Sequence, residues 1–196
     1  MADRMVSRFG MRQGLTAPGW HWAAYRVEVD ASGDRPSYLN TRTLISTLND
    51  LSQFEEVVSI PAIGEEGSWQ VDGVTGCSYL GREQLSGSSW RLLFALPRPL
   101  RAGDRHETVV RVTWPSRDSV QPVAGFVPMR PVERFDVSVD FGHPRSCGAA
   151  WILNGVLPTS YTDPPSQETL AMERTVRASF VDPLPGHAYG IAWTWA

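Results

Sequence analysis

Apolar and polar residues alternate along much of the chain, and a period of two turns one side of a segment toward a core and the other toward water. The plainest cases are Tyr25-Arg26-Val27-Glu28-Val29-Asp30, Val109-Val110-Arg111-Val112-Thr113-Trp114, Phe135-Asp136-Val137-Ser138-Val139-Asp140-Phe141 and Ile191-Ala192-Trp193-Thr194-Trp195. In each, one parity is apolar, so each is predicted to be a strand with one buried face. Groups that fix φ or allow it to be positive punctuate the pattern: Ala31-Ser32-Gly33-Asp34, Pro97-Arg98-Pro99, Ala102-Gly103-Asp104, Pro164-Pro165 and Pro183-Leu184-Pro185-Gly186. Each is expected to be a turn. Strand signals separated by such turns, with no βαβ rhythm, predict an all-β fold, an antiparallel β-sandwich of the immunoglobulin-like kind. A barrel would give the same alternation. One segment resists. Over residues 41–53 Leu44, Ile45, Leu48 and Leu51 fall at helical spacing with Asn40 or Thr41 placed to cap, so a short helix and a long strand fit that segment equally well.

Residues 1–15 read as a flexible N-terminal segment and residues 16–196 as a single domain, because no repeat, low-complexity tract or charge block divides them. The end of the chain, with Trp193 and Trp195 on one side of a strand, is expected to pair inside a sheet and close the core. At 196 residues and 42% hydrophobic composition, the chain can build a core without disulfides or a structural metal. The net charge of −3 argues against a surface built to neutralise phosphates, so direct nucleic-acid binding is not expected. All 18 basic residues are arginine, a bias that reads as GC-rich coding. No apolar run approaches the length that spans a bilayer, so no membrane partner is expected. Residues Met1 to Gly14 lack the apolar stretch of a secretory signal, which points to the cytoplasm. There Cys77 and Cys147 are expected to be free thiols.

Candidate chemistry is sparse. His21, His106, His143 and His187 form no local pair with one another or with a cysteine, so no metal and no cofactor are expected. Ser86-Gly87-Ser88-Ser89 and the stretch from Gly142 to Gly148 come nearest to reactive loops, without the signature of a nucleophile and its base. No catalytic residue is assigned. Glu55-Glu56 and Glu65-Glu66 are adjacent acidic pairs, but neighbours on a strand point to opposite sides, and a solvated face accounts for them. Eight tryptophans are the unusual feature. Most fit a core; Trp69, Trp90 and Trp151 are the candidate binding surface, a stacking platform or an interface anchor.

The succession Leu96-Pro97-Arg98-Pro99-Leu100-Arg101-Ala102-Gly103-Asp104, then residues 127–141, then Ala149-Ala150-Trp151, then Tyr189-Gly190-Ile191-Ala192-Trp193-Thr194-Trp195 resembles a β-rich C-terminal domain of actinobacterial XRE-type helix-turn-helix regulators. The resemblance covers most of the chain from about Trp22 onward and rests on turns and core aromatics. It departs in two ways: no helix-turn-helix precedes the domain, and Ile191 stands where the pattern has Phe. The resemblance implies a non-enzymatic module that senses a ligand or docks another protein, the companion of a separately encoded regulator or effector. A β-sandwich that binds carbohydrate or another small ligand is the alternative reading, and an enzyme with a site assembled from distant loops is the third.

Overall fold

The computed structural model describes residues 19–59, 69–86, 89–117, 122–158, 169–171 and 173–196. The N-terminal segment, Glu65-Glu66, and Pro164-Pro165 lie outside the described residues, as does the centre of the Ser86 to Ser89 loop. Twelve strands follow in order: β1 (Trp20–Asp30), β2 (Ser37–Ser46), β3 (Leu51–Ser59), β4 (Gln70–Thr75), β5 (Ser78–Ser86), β6 (Ser89–Leu100), β7 (Arg105–Thr113), β8 (Val123–Phe126), β9 (Arg134–Asp140), β10 (Cys147–Val156), β11 (Thr175–Val181) and β12 (Ala188–Trp195). The fold is all-β and sandwich-like. A six-stranded sheet of order β11-β9-β1-β2-β7-β4 is covered on one face by two three-stranded sheets, β10-β12-β8 and β3-β6-β5.

The four strongly alternating segments form or run into β1, β7, β9 and β12, and their apolar parity enters the core. Val27, Val29, Val110, Val112, Phe135, Val137, Val139, Ile191 and Trp193 are all buried. Aromatic contacts tie the layers together. Tyr25 of the large sheet meets Phe126 of β8 with ring centroids 4.8 Å apart. Phe180 of β11 meets Tyr189 of β12 at 5.3 Å, and Phe141 meets Trp193 at 5.7 Å. The terminal strand is the middle strand of its sheet, paired with β10 on one side and β8 on the other. Its approach to β8 requires Gly190, where a Cβ would lie 2.2 Å from the Ala124 carbonyl oxygen.

Three expectations are corrected. Residues 41–53 hold no helix but the end of β2, a turn, and the start of β3. β2 is a central strand paired with β1 on one side and β7 on the other, and Asn40, Arg42, Leu44 and Ser46 bury one face of it at a period of two. Of the residues at helical spacing, Leu44 enters the core, Ile45 faces the other side, Leu48 is exposed in the turn and Leu51 begins β3. The sheets are not purely antiparallel, because β1 and β9 pair in parallel from Ala24↔Arg134 to Asp30↔Asp140; alternation is identical for both pairings, so the sequence carries no sign of it. Pro97-Arg98-Pro99 is not a turn but part of β6. There the register with β3 jumps from Ala95 to Leu100 and the register with β5 stops at Ala95, so two residues without an N–H sit where the ladder asks for none.

Candidate functional site

The inner face of the large sheet carries a charged group that alternation alone would place in water. Arg42 of β2 points inward, is 4% exposed, and makes a two-pronged ion pair with both carboxylate oxygens of Glu56, on the inner face of β3. Its Nη2 also donates to the Tyr25 hydroxyl at 2.9 Å, and that hydroxyl donates to Asn40 Oδ1 at 2.8 Å. The guanidinium lies 4.3 Å from the centroid of the Tyr25 ring and 5.1 Å from that of Trp22. Burial works against the charged guanidinium, but the Glu56 carboxylate and the Tyr25 hydroxyl more than offset it and hold its pKa above the ordinary arginine value. Burial raises the Tyr25 hydroxyl above its ordinary range, against the pull of Arg42. Cys77 stands nearby, its thiol pushed up to about 11 by partial burial and then by the Glu56 charge. Thus Glu56 is not on a solvated face as its sequence suggested; Glu55 is the outward member, 3.2 Å from Arg91. The network joins two layers of the sandwich. Its chemistry is that of a bolt: complementary charges desolvated together, with Nε of Arg42 left without a partner.

The outer face of the same sheet is different. Parity puts Glu28 and Asp30 of β1, Leu39 and Thr41 of β2, Arg111 of β7, Ser138 and Asp140 of β9, and Thr175 and Arg177 of β11 on one open surface. Five of these are charged. A shallow depression of about 400 Å³ runs across it, lined by ten residues that include Glu28, Arg111, Asp140 and Arg177. Asp30 and Asp140 are directly in register, and each caps the turn that ends its strand. Asp30 Oδ1 accepts from the Ser32 N–H at 3.0 Å and the Ser32 hydroxyl at 2.6 Å, and Asp140 Oδ1 accepts from the Gly142 N–H at 2.7 Å. Partial burial opposes the Asp140 charge, but the Gly142 N–H and the Arg174 guanidinium outweigh it and hold its pKa below the usual carboxylate value. Glu28 and Arg111 have no hydrogen bond or ion pair with any described residue. They flank Leu39 in adjacent register positions, which separates them by two strand spacings, about 10 Å.

The tryptophans proposed as a surface sit as follows. Trp69 is 7% exposed, with Trp90 edge-on at 5.6 Å. The Arg82 guanidinium lies 4.1 Å from the Trp69 ring centroid, and its Nη1 donates to the Trp69 carbonyl at 3.1 Å. Trp90 is half-buried on the inner side of β6. Trp151 is 7% exposed and packs with Leu153 and Ala192 in the β10-β12-β8 sheet. The structure brings Trp69 and Trp90 together around an arginine the chain itself supplies, and places Trp151 in a different sheet. Of the histidines, His106 hydrogen-bonds the Gly76 carbonyl at 2.7 Å, and His143 Nδ1 accepts from the Arg145 N–H at 3.1 Å. Among the described residues no three of His, Cys, Asp and Glu converge on one point. Cys77 and Cys147 are both free thiols. No helix of the described residues is long and apolar enough to cross a membrane.

No protein-family model and no curated protein matches the sequence. Solved structures of similar fold include a putative protease from Parabacteroides distasonis, at 10% identity and a TM-score of 0.51 over 91% of this chain and 41% of that one. An M1 zinc metallopeptidase from Deinococcus radiodurans matches at 14% identity and a TM-score of 0.46 over 89% of this chain and 42% of that one. A putative nutrient binding protein from Legionella pneumophila matches at 10% identity and a TM-score of 0.39, over 91% of this chain and 68% of that one. The chain therefore spans about two fifths of the length of the first two proteins. Likeness at this level of identity concerns the fold alone.

Proposed function

We propose that the chain is a non-catalytic interaction module that docks another protein on the outer face of its six-stranded sheet. The observation that carries this reading is the pair Glu28 and Arg111, opposite charges set on one rigid sheet with no hydrogen bond or ion pair to any described residue, although Asp72 lies in register beside Arg111. Two further features support it. Six strands give a face about 24 Å wide, and the depression on it is open, whereas pockets for small ligands enclose most of their occupant. Burial raises Tyr25, Tyr38 and Cys77 in or at the edge of the interior, and on the outer face Asp136 and Asp140 are lowered by hydrogen bonds and arginines of the chain itself, which favours binding over acid-base chemistry. The partner that fits presents a basic and an acidic group at matching separation; a separately encoded regulator or effector is the kind of protein this reading favours. The fold also occurs as less than half of a longer chain, the putative protease described above, as a module would.

A photo-crosslinking amino acid placed at Thr41, on that face, and separately at Leu93, exposed on the β3-β6-β5 sheet, tests the reading in the native host. One discrete protein adduct at Thr41, absent at Leu93 and lost when Glu28→Arg and Arg111→Glu exchange the two charges, is the expected result. An adduct that forms equally at both positions, or that survives the exchange, overturns it.

A further inference from the structure

Six strands lie at sheet edges, and five of them carry a feature that discourages a further strand. β4 has a register shift between Gly73 and Thr75. β5 has two, at Tyr79/Gly81 and at Gln84/Ser86. β8 is only four residues long. β10 is bulged twice, and its open side is bridged at Trp151 by Thr169. β3 is bulged near its start and turns the Glu56 charge inward. β11 differs. Its seven residues pair with β9 from Thr175↔Asp140 to Val181↔Arg134 without a shift, it contains no proline, and among the described residues nothing hydrogen-bonds its second edge. At the end of that edge Val181 is 71% exposed, the most exposed of the large hydrophobic side chains described.

We propose that the open edge of β11 pairs antiparallel with β11 of a second copy of this chain, so that two six-stranded sheets become one continuous sheet across a two-fold axis. The sequence of the strand argues for this occupant. A two-fold interface must be self-complementary, and Thr175-Val176-Arg177-Ala178-Ser179-Phe180-Val181 is so about Ala178. Folded on that centre, Val176 faces Phe180 of the other copy on the core side. Ala178 meets its own mate on that same side, and on the outer side Arg177 faces Ser179 and Thr175 faces Val181. Directly opposed residues interact most strongly and like charges there are unfavourable. Sliding the centre to Arg177 would oppose two guanidinium groups. Sliding it to Ser179 leaves Thr175 and Val176 beyond the pairing. The register centred on Ala178 therefore uses the whole strand, opposes no like charges, and covers Val181. Seven residues give an edge about 24 Å long, and pairing through a single strand edge buries less area than a tight complex does, so the dimer is concentration-dependent.

Sedimentation velocity of the full chain over micromolar to sub-millimolar concentrations should show the weight-average mass rising from one chain toward two. Ser179→Arg sets a guanidinium opposite Arg177 on both sides of the central Ala178 and should hold the mass at one chain throughout. Its unchanged near-ultraviolet circular dichroism would show that the tryptophan-rich core is intact. Register is read separately. Ala178→Cys should give an intermolecular disulfide with oxidised glutathione, because the two residues face each other, whereas Thr175→Cys, opposite Val181, should not. A wild-type chain that stays monomeric at every concentration overturns the proposal. So does dimerisation that Ser179→Arg leaves unchanged, or crosslinking of Thr175→Cys as readily as of Ala178→Cys. The Thr41 adduct of the docking proposal does not depend on any of these results.

Discussion

The two faces of β2 are made by alternate residues of one ten-residue segment, yet they obey different rules. The inward residues Asn40 and Arg42 are polar and buried, while the outward residues include Leu39 and Ile45, each half-buried. On the inner face a charge is tolerated because most of its desolvation is answered, all but Nε: by the Glu56 charge, by a hydrogen bond to the Tyr25 hydroxyl that Asn40 in turn holds, and by the faces of the Tyr25 and Trp22 rings. On the outer face Glu28 and Arg111 need no answer, because water supplies one. The difference teaches that charge in this fold occurs in two settings: a matched pair joining layers, and a pair without a hydrogen bond or ion pair among the described residues, on the face proposed above for docking.

Breaking the inner pair should have the largest effect. Glu56→Gln leaves the Arg42 charge buried without its counter-charge, and a loss of about 3–5 kcal/mol is expected in urea unfolding. Arg42→Met with Glu56→Leu removes both charges together and should recover most of that loss. A double variant as unstable as the single one would show that the network specifies the fold rather than merely balancing its own charges.

Alkali should act on the thiol beside the same pair. The folded Cys77 pKa, near 11, lies above that of an unfolded thiol. Its contribution is therefore complete below the unfolded value and is lost as pH rises toward about 11. The urea midpoint should fall over that window, and Cys77→Ala should flatten the fall. On the outer face, acid should act in the opposite sense. The hydrogen bond from Arg134, aided by Ser179, holds Asp136 below the usual carboxylate value, and Asp140 is also lowered. Stability from both is present above the unfolded carboxylate pKa, about 3.9, and is lost as pH falls through the folded values. Asp136→Asn should reduce the difference in urea midpoint between neutral and acid pH. Glu28→Gln should change least, within about 0.5 kcal/mol. Should it cost as much as Glu56→Gln, the distinction between the two faces fails.

Particular residues show what the sequence made legible. In the segment ending at Asp30, and in those ending at Trp114, Phe141 and Trp195, each inward position is apolar, and solvent exclusion alone assigns the face. Over residues 41–53 helix and strand stayed equally open because Asn40 and Arg42 break that rule, and the remaining apolar residues, Leu44, Ile45, Leu48 and Leu51, happened to match a helical period. Glu56 gave no sign of its role: its partner lies 14 residues away on another sheet, and an adjacent Glu55 that does face out made the pair look ordinary. The tryptophan count was correctly read as unusual, but only packing places Trp69 and Trp151 inside and fills the space between Trp69 and Trp90 with Arg82.

The sequence by itself determined the class of fold and the parity of the regular strands, because those follow from short-range alternation and from composition. Tertiary structure alone decided the parallel pairing of β1 with β9, the burial of Arg42 against Glu56, and which sheet edge is unpaired among the described residues. Strand order and sheet packing are set by contacts between residues far apart in the chain, and a period of two is the same whichever neighbour a strand finally meets.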